Sequence, residues 1–217
     1  MNYKALILDH DDTVVDSTAT VHYPAFVAYM EQLRGGTAFT LEDYFVYNFD
    51  PGVLGFFRDM VGLSEEEMRE EERFWQRFVK GRIPKAYPGM REFLWEYKER
   101  DGILCVVSHS FSEYIRRDYA VNGLPEPDMI FGWEYPPEQR KPAPWPLIRI
   151  METFGYAPED LLVVDDLKPG YDMAKQRRVP FAAAGWAYDV PEIRDFMREN
   201  TPLYFETTAE LYAYLFE

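Results

Sequence analysis

The stretch ALILDHDDTVVDS, residues 5–17, decides how the rest of the chain is read. Four apolar residues run directly into Asp9, His10, Asp11 and Asp12. A short run without polar alternation, closed by polar residues, suits a strand buried on both faces of a parallel sheet. Sheets of that kind bind ligands beyond the carboxyl ends of their strands. This strand delivers Asp9 and Asp11 to that edge, with the hydroxyl of Thr13 close behind. Carboxylates two apart on an extended chain lean to the same side, so one can attack an electrophile while the other handles protons. Read alone, the pair is equally a solvated acidic loop.

Working outward, similar apolar runs recur at ILCVVS (103–108), MIF (129–131), LLVVDD (161–166) and PFAAAG (180–185). Between them the spacing predicts helices over 88–100, 111–122, 144–154 and 169–177. Strands alternating with helices imply right-handed βαβ units, hence an α/β fold with a doubly wound parallel sheet. The segment 18–82 breaks that rhythm. It is rich in aromatic residues and reads as several helices with no buried strand. Ser64 and Glu67 form a capping-box signature, and Gly35-Gly36 and Pro51-Gly52 mark breaks between helices. The expected organisation is a core of 1–17 plus 83–217, with 18–82 as a small helical cap inserted after the first strand.

Composition narrows the function. In 217 residues, 47% hydrophobic, there is material for one ordinary core and a modest insertion. A formal charge of −15 argues against nucleic acid, whose affinity rests on Lys and Arg neutralising phosphates. No apolar run reaches the ~20 residues of a membrane span. The N-terminus lacks a secretory pattern, and the single cysteine, Cys105, cannot form an internal disulfide. A cytoplasmic location is the expectation.

Three further elements carry chemistry. ILCVVSHS (103–110) ends a buried strand with Ser108, which alone reads as a helix-capping serine, with Ser110 a stronger capping candidate. Lys141, in RKPAPWPL (140–147), can neutralise a phosphoryl oxygen, although an isolated lysine is more often a solvated one. LLVVDDLKPG (161–170) sets Asp165 and Asp166 at the end of another buried strand. Adjacent carboxylates there repel each other unless a cation intervenes, and hard oxygen ligands suit Mg²⁺.

Taken in order, the acid pair, serine, lysine and second acid pair resemble the four motifs of the haloacid dehalogenase-like superfamily over nearly the whole chain. DHDDTVVDS looks like its first motif, VVSHS its second, KPAP its third and VVDDLKPGYDMA its fourth. KAYPGMREFLWEYKERDGILCVVS also looks like the re-entry from a helical cap. The resemblance implies a Mg²⁺-dependent phosphatase of a small phosphorylated metabolite, with phosphosugars or phosphoglycolate-like esters as the default. It makes Asp9 the nucleophile and Asp11 the general acid/base, protonated at the outset. Ser108, Lys141 and Thr13 fall to phosphate binding, and Asp9, Asp11, Asp165 and Asp166 to the metal. Family members that cleave carbon–halogen bonds typically lack an acid at the Asp11 position. One departure stands out: Asp12 occupies the place where the family most often has glycine.

His22 and Tyr23, at the start of the cap, and His109, beside Ser108, are candidates for substrate contact. His10 is expected to point away from its flanking acids, and Cys105 to be a buried strand thiol. The aromatic residues Tyr44, Phe45, Tyr47, Phe49, Phe56 and Phe57 read as cap core, and 69–73 as a solvated helix face. No Schiff-base role is assigned to Lys80 or Lys85. Two alternatives stay open: a phosphomutase of the β-phosphoglucomutase kind, and a non-catalytic binding protein on the same fold, for which Asp12 is the only support. Whether the chain is a monomer or a dimer is not legible.

Overall fold

The computed structural model describes residues 2–216. Strand β1 (Ala5–Leu8) sits inside a parallel sheet with β4 (Ile103–Val107), β5 (Met129–Phe131), β6 (Leu161–Asp165), β7 (Phe181–Ala184) and β8 (Leu203–Phe205). The strand order is β5-β4-β1-β6-β7-β8, with every pairing parallel. Each anticipated run is a strand. Their two-residue side-chain period divides the interior into two layers. Leu6, Leu8, Leu104, Val106, Leu162 and Val164 belong to one buried cluster. Ala5, Ile7, Cys105, Val107, Leu161 and Val163 belong to the other.

Helices cover both layers, which makes the sheet doubly wound. Residues of α5 (Met90–Glu99), α6 (Ser112–Val121) and α10 (Thr208–Phe216) fill the first cluster. Those of α7 (Trp145–Phe154), α8 (Lys168–Arg177) and α9 (Pro191–Asn200) fill the second. The sequence reading assigned no element beyond residue 185. The partly exposed edge strand β8 and the two helices around it are additions. A second addition is the small antiparallel pair of β2 (Val15–Asp16) and β3 (Lys85–Ala86). It ties the exit from the first motif to the chain's return into the core.

Residues 18–82 contain helix and no strand. Thr18–His22 is a wide π-type turn running into α1 (Tyr23–Arg34), followed by α2 (Leu41–Phe49), the single turn α3 (Val53–Gly55), a second π-type turn at Phe56–Met60, and α4 (Glu65–Val79). The capping box at Ser64 and Glu67 is formed. Gly35 ends α1 in the left-handed conformation that glycine adopts without strain. The aromatic cluster is divided differently from the expectation. Tyr44, Phe56 and Phe57 pack with Phe26 and Tyr29 inside this segment. Phe45 and Phe49 turn towards the sheet instead, the first against Tyr188 at 4.0 Å and the second against Phe196 at 5.1 Å between ring centroids. Helix α2 is thereby clamped to the core.

The turn after β1 explains Asp12. Its φ of +57° is left-handed, a conformation that Asp tolerates better than most residues. Its buried carboxylate accepts from the backbone N–H of Ser17 at 3.2 Å and of Thr18 at 3.1 Å. Asp12 thus holds the start of the first helical turn, and the position serves structure. Replacement by alanine removes both acceptors and keeps the strain; asparagine keeps the acceptor. In urea denaturation Asp12→Ala is expected to lose about 2–3 kcal/mol and Asp12→Asn under about 1 kcal/mol. Equal losses would contradict this role.

Candidate active site

Parallel register brings the candidate residues to one edge. Leu8 lies opposite Val106 on one side and Val164 on the other, so β1, β4 and β6 release their next residues together. Asp9 is fastened there by its N–H, which donates to the Val164 carbonyl at 2.9 Å. Lys141 reaches in from the loop before α7, and its buried ammonium lies 2.8 Å from Asp9 Oδ1 and 2.7 Å from Asp165 Oδ2. Burial would lower the proton affinity of the amine. The two carboxylates outweigh it and keep Lys141 charged well above the usual lysine range.

Asp165 and Asp166 have different partners. Asp165 accepts from Lys141 and, through Oδ1, from the Leu167 N–H at 2.8 Å. A Cβ on Gly170 would come within 2.1 Å of Asp165 Oδ2, so glycine is required for this approach. Among the described residues Asp166 meets only neutral donors: Thr13 Oγ1 at 3.2 Å and the Tyr188 hydroxyl at 3.0 Å. Burial first, then repulsion from Asp165 and Asp9, raises its carboxyl well above the usual range.

Asp11 faces a separate set of partners. Its Oδ1 accepts from Ser17 Oγ at 2.8 Å and lies 2.8 Å from His22 Nε2, while Oδ2 accepts from Ser110 Oγ at 2.6 Å. Ser108 Oγ lies 3.4 Å from the same Oδ2. The indole N–H of Trp75, a donor only, lies 3.0 Å from His22 Nδ1. Nδ1 therefore faces a donor and Nε2 is directed at Asp11. Burial would lower the imidazole, but the charges of Asp11 and Asp12 outweigh it and raise His22 above its usual range. Burial raises the Asp11 carboxyl, but His22, His10 and Ser110 together outweigh it and hold Asp11 below the usual carboxylate range. The protonated start expected for Asp11 is not what this arrangement favours: the resting carboxylate is surrounded by donors.

The other predicted residues divide plainly. Thr13 is fully buried and spends its hydroxyl on Asp166, away from the open cavity. Tyr23 donates to the Phe39 carbonyl at 3.0 Å and packs within the 18–82 cluster. His109 lines the cavity and hydrogen-bonds the Lys141 carbonyl at 2.8 Å. Burial and the nearby ammonium lower its imidazole to about 4, so it is a neutral donor. His10 points away, with Nε2 3.2 Å from Asp118. Cys105 is a buried strand thiol pushed up to about 12 by burial. Ser110 caps no helix, since Phe111 occupies the N-cap of α6. Neither Lys80 nor Lys85 lines the cavity.

These groups border a cavity of about 300 Å³, whose other wall residues come largely from 18–82. Asp9, Ser108 and Lys141 meet Phe57, Trp75 and Trp133 around it. Glu71 is also there and only 8% exposed, so the reading of 69–73 as a solvated face fails at that position. Helical spacing held the missed signal: Met68, Glu71 or Glu72, and Trp75 follow one another on one side of α4.

The donor set suits a hard divalent ion. Ligand oxygens of Asp9, Asp165 and Asp166 lie within 4.8 Å of one another, all buried. One ammonium cannot neutralise three carboxylates, and Asp166 has no cationic partner among the described residues. Asp9 and Asp166 could hold it best, because Asp165 already has an ammonium and a backbone N–H on its two oxygens, whereas Asp166 accepts from two hydroxyls. The Asp11 carboxylate stands outside the group of three.

Comparison with known proteins agrees with this architecture. The sequence model of the haloacid dehalogenase-like hydrolases matches residues 3–176. A phosphoglycolate phosphatase of Aquifex aeolicus is 26% identical over 191 residues, covering 85% of this chain and 86% of that one. The structure of a predicted phosphoglycolate phosphatase from Haemophilus somnus superposes with a TM-score of 0.79 at 18% identity, covering 99% of both chains. A haloacid dehalogenase-like family protein from Streptococcus pneumoniae gives 0.78 at 18% identity, again covering 99% of both. At such identities the structures show a shared fold alone, and it is the family match, spanning most of the sequence, that assigns the chain to the haloacid dehalogenase-like hydrolases.

Proposed function

We propose that this hydrolase is a magnesium-dependent phosphatase of small phosphate monoesters that works through a phosphoryl group carried on Asp9. The observation that carries the reading is the buried Asp9 carboxylate on the wall of a cavity open to solvent on one side. It stands beside a fixed ammonium and within ligand distance of Asp166. Residues 18–82 act as the cap in this reading, and they supply most of the wall away from the phosphoryl end. The relative from Aquifex aeolicus, a phosphoglycolate phosphatase, supports small phosphate esters as the substrate class.

When bound by Asp9 and Asp166, Mg²⁺ would supply positive charge that reduces repulsion between two anions, the carboxylate and the ester. An Asp9 oxygen attacks phosphorus, forming an acyl phosphate as the bond to the leaving oxygen breaks. Lys141 and Ser108 hold the non-bridging oxygens, over which transition-state charge spreads. Asp165 keeps the Lys141 ammonium in place. Asp11 gives the leaving oxygen its proton, then takes one from the water that releases phosphate and restores Asp9. A dianionic ester close to Asp11 raises its proton affinity, so Asp11 gains its acid form as substrate enters. His22, fixed by Trp75, orients that carboxylate. Because Asp12 has a structural role in the turn, the sequence feature that favoured a non-catalytic protein has another explanation. The lone, buried Cys105 supports a reducing compartment such as the cytoplasm.

Two measurements test this reading. In a phosphate-release screen over metabolite esters, Mg²⁺-dependent turnover is expected for at least one ester. A loss of at least about 10³-fold is expected in Asp9→Asn, as for removal of a nucleophile. Retained activity in that variant would overturn the assignment. In thermal unfolding without substrate, Mg²⁺ at 100 times its Kd is expected to add about 2.7 kcal/mol to the wild type and almost nothing to Asp166→Asn. Equal stabilisation of both would place the ion elsewhere.

A further inference from the structure

The wall that α4 contributes to the cavity carries a carboxyl without a partner. Glu71 is 8% exposed and lines the cavity, yet no hydrogen bond or ion pair engages its carboxylate among the described residues. Native proteins rarely leave a buried polar group unpaired, because its desolvation is not offset. Burial, with the charge of Glu72, pushes Glu71 up to about 7, so a positive partner would recover the cost of ionising it. Nothing in the phosphoryl chemistry uses this group.

The charges around it point the same way. Glu65 and Glu72 line the same cavity, and the cation that α4 offers there, Arg69, is exposed. Lys141 is taken by Asp9 and Asp165, His22 is taken by Asp11, and His109 is neutral. A carboxylate on the leaving group would therefore meet acids and find no buried cation that is not already paired. A hydroxyl could bond Glu71 but would not recover the cost of ionising it. An ammonium satisfies both requirements. The rings of Tyr44, Phe57, Trp75 and Trp133 on the cavity wall can add cation–π attraction.

We propose that the substrate is a zwitterionic phosphomonoester, the phosphate of a small amino alcohol, whose ammonium pairs with Glu71 while its phosphate lies at Asp9 and Lys141. The inference rests on the phosphatase reading of the site and adds the class of leaving group. It separates this chain from its relative named for phosphoglycolate, whose substrate ends in a carboxylate.

The test uses the full chain with Mg²⁺ and matched esters: aminoethyl, aminopropyl and aminobutyl phosphate, each against the alkyl phosphate with methyl in place of ammonium, together with phosphoglycolate. Binding is read by calorimetry in Asp9→Asn, and kcat/KM in the wild type. The best amine is expected to bind at least about tenfold tighter than its methyl partner and to have a kcat/KM at least about tenfold higher. In Glu71→Gln that ratio is expected to fall to within about twofold of one. The wild-type comparison does not depend on how the variant folds. Absence of an amine preference in binding, an unchanged ratio in Glu71→Gln, or a preference for phosphoglycolate would each overturn the inference. Turnover of neutral esters without amine preference would leave the phosphatase reading standing. Amine-selective binding without phosphate release from any ester would do the reverse.

Discussion

Three carboxylates and one ammonium, all buried at the carboxyl edge of a parallel sheet, set the terms for everything around them. An ionised carboxylate taken out of water costs several kcal/mol even after local relaxation. Lys141 offsets that cost for Asp9 and Asp165, which it touches at 2.8 and 2.7 Å. Among the described residues Asp166 accepts only from the hydroxyls of Thr13 and Tyr188, and burial, with repulsion from Asp165 and Asp9, raises its carboxyl. The arrangement is electrostatically incomplete in the way a cation-binding centre is. Its rigidity comes from the sheet: strand register fixes where each chain ends, and the Gly170 approach to Asp165 leaves no space for even a methyl group.

Around this centre the chain divides its labour. The doubly wound core supplies Asp9, Ser108, Lys141 and Asp166 from four separate segments: neighbouring parallel strands finish together at Asp9, Ser108 and Asp166, and Lys141 reaches in from the loop before α7. The helical segment 18–82 supplies the aromatic and acidic part of the cavity wall and, through Trp75 and His22, a hydrogen-bonded link to Asp11. Helix α2, through Phe45 and Phe49, fastens that segment to the second face of the sheet. In the proposed reading, groups that act on phosphorus belong to the core, and groups that choose the alcohol belong to α4.

Most of this framework was legible in the sequence, for physical reasons. Strands buried on both faces must be continuously apolar, so ALIL, ILCVV and LLVV announced themselves and pointed to the acids behind them. The edge strand Leu203–Phe205 is short and half-exposed and lacks that mark. The left-handed Asp12 could be anticipated from residue type, but its two backbone acceptor contacts could not, because they depend on how the following turn closes. Ser110 looked like a helix cap because serine caps helices, yet Asp11 drew its hydroxyl elsewhere. Glu71 was hidden in the charged run of 69–73. Periodicity places it beside Trp75 on α4, but only the packed structure reveals that this side faces the cavity rather than the outer surface.

The central claim, that Asp9 carries the phosphoryl group, is tested most directly by trapping. The protein with Mg²⁺ and a turned-over ester is quenched in acid within one turnover, digested, and its peptides are weighed. The account predicts one added phosphoryl group on the peptide containing residues 5–17, located at Asp9 and converted to homoserine by borohydride. A phosphoryl group on Ser108, Ser110 or His109, or steady turnover with no labelled peptide, would contradict it.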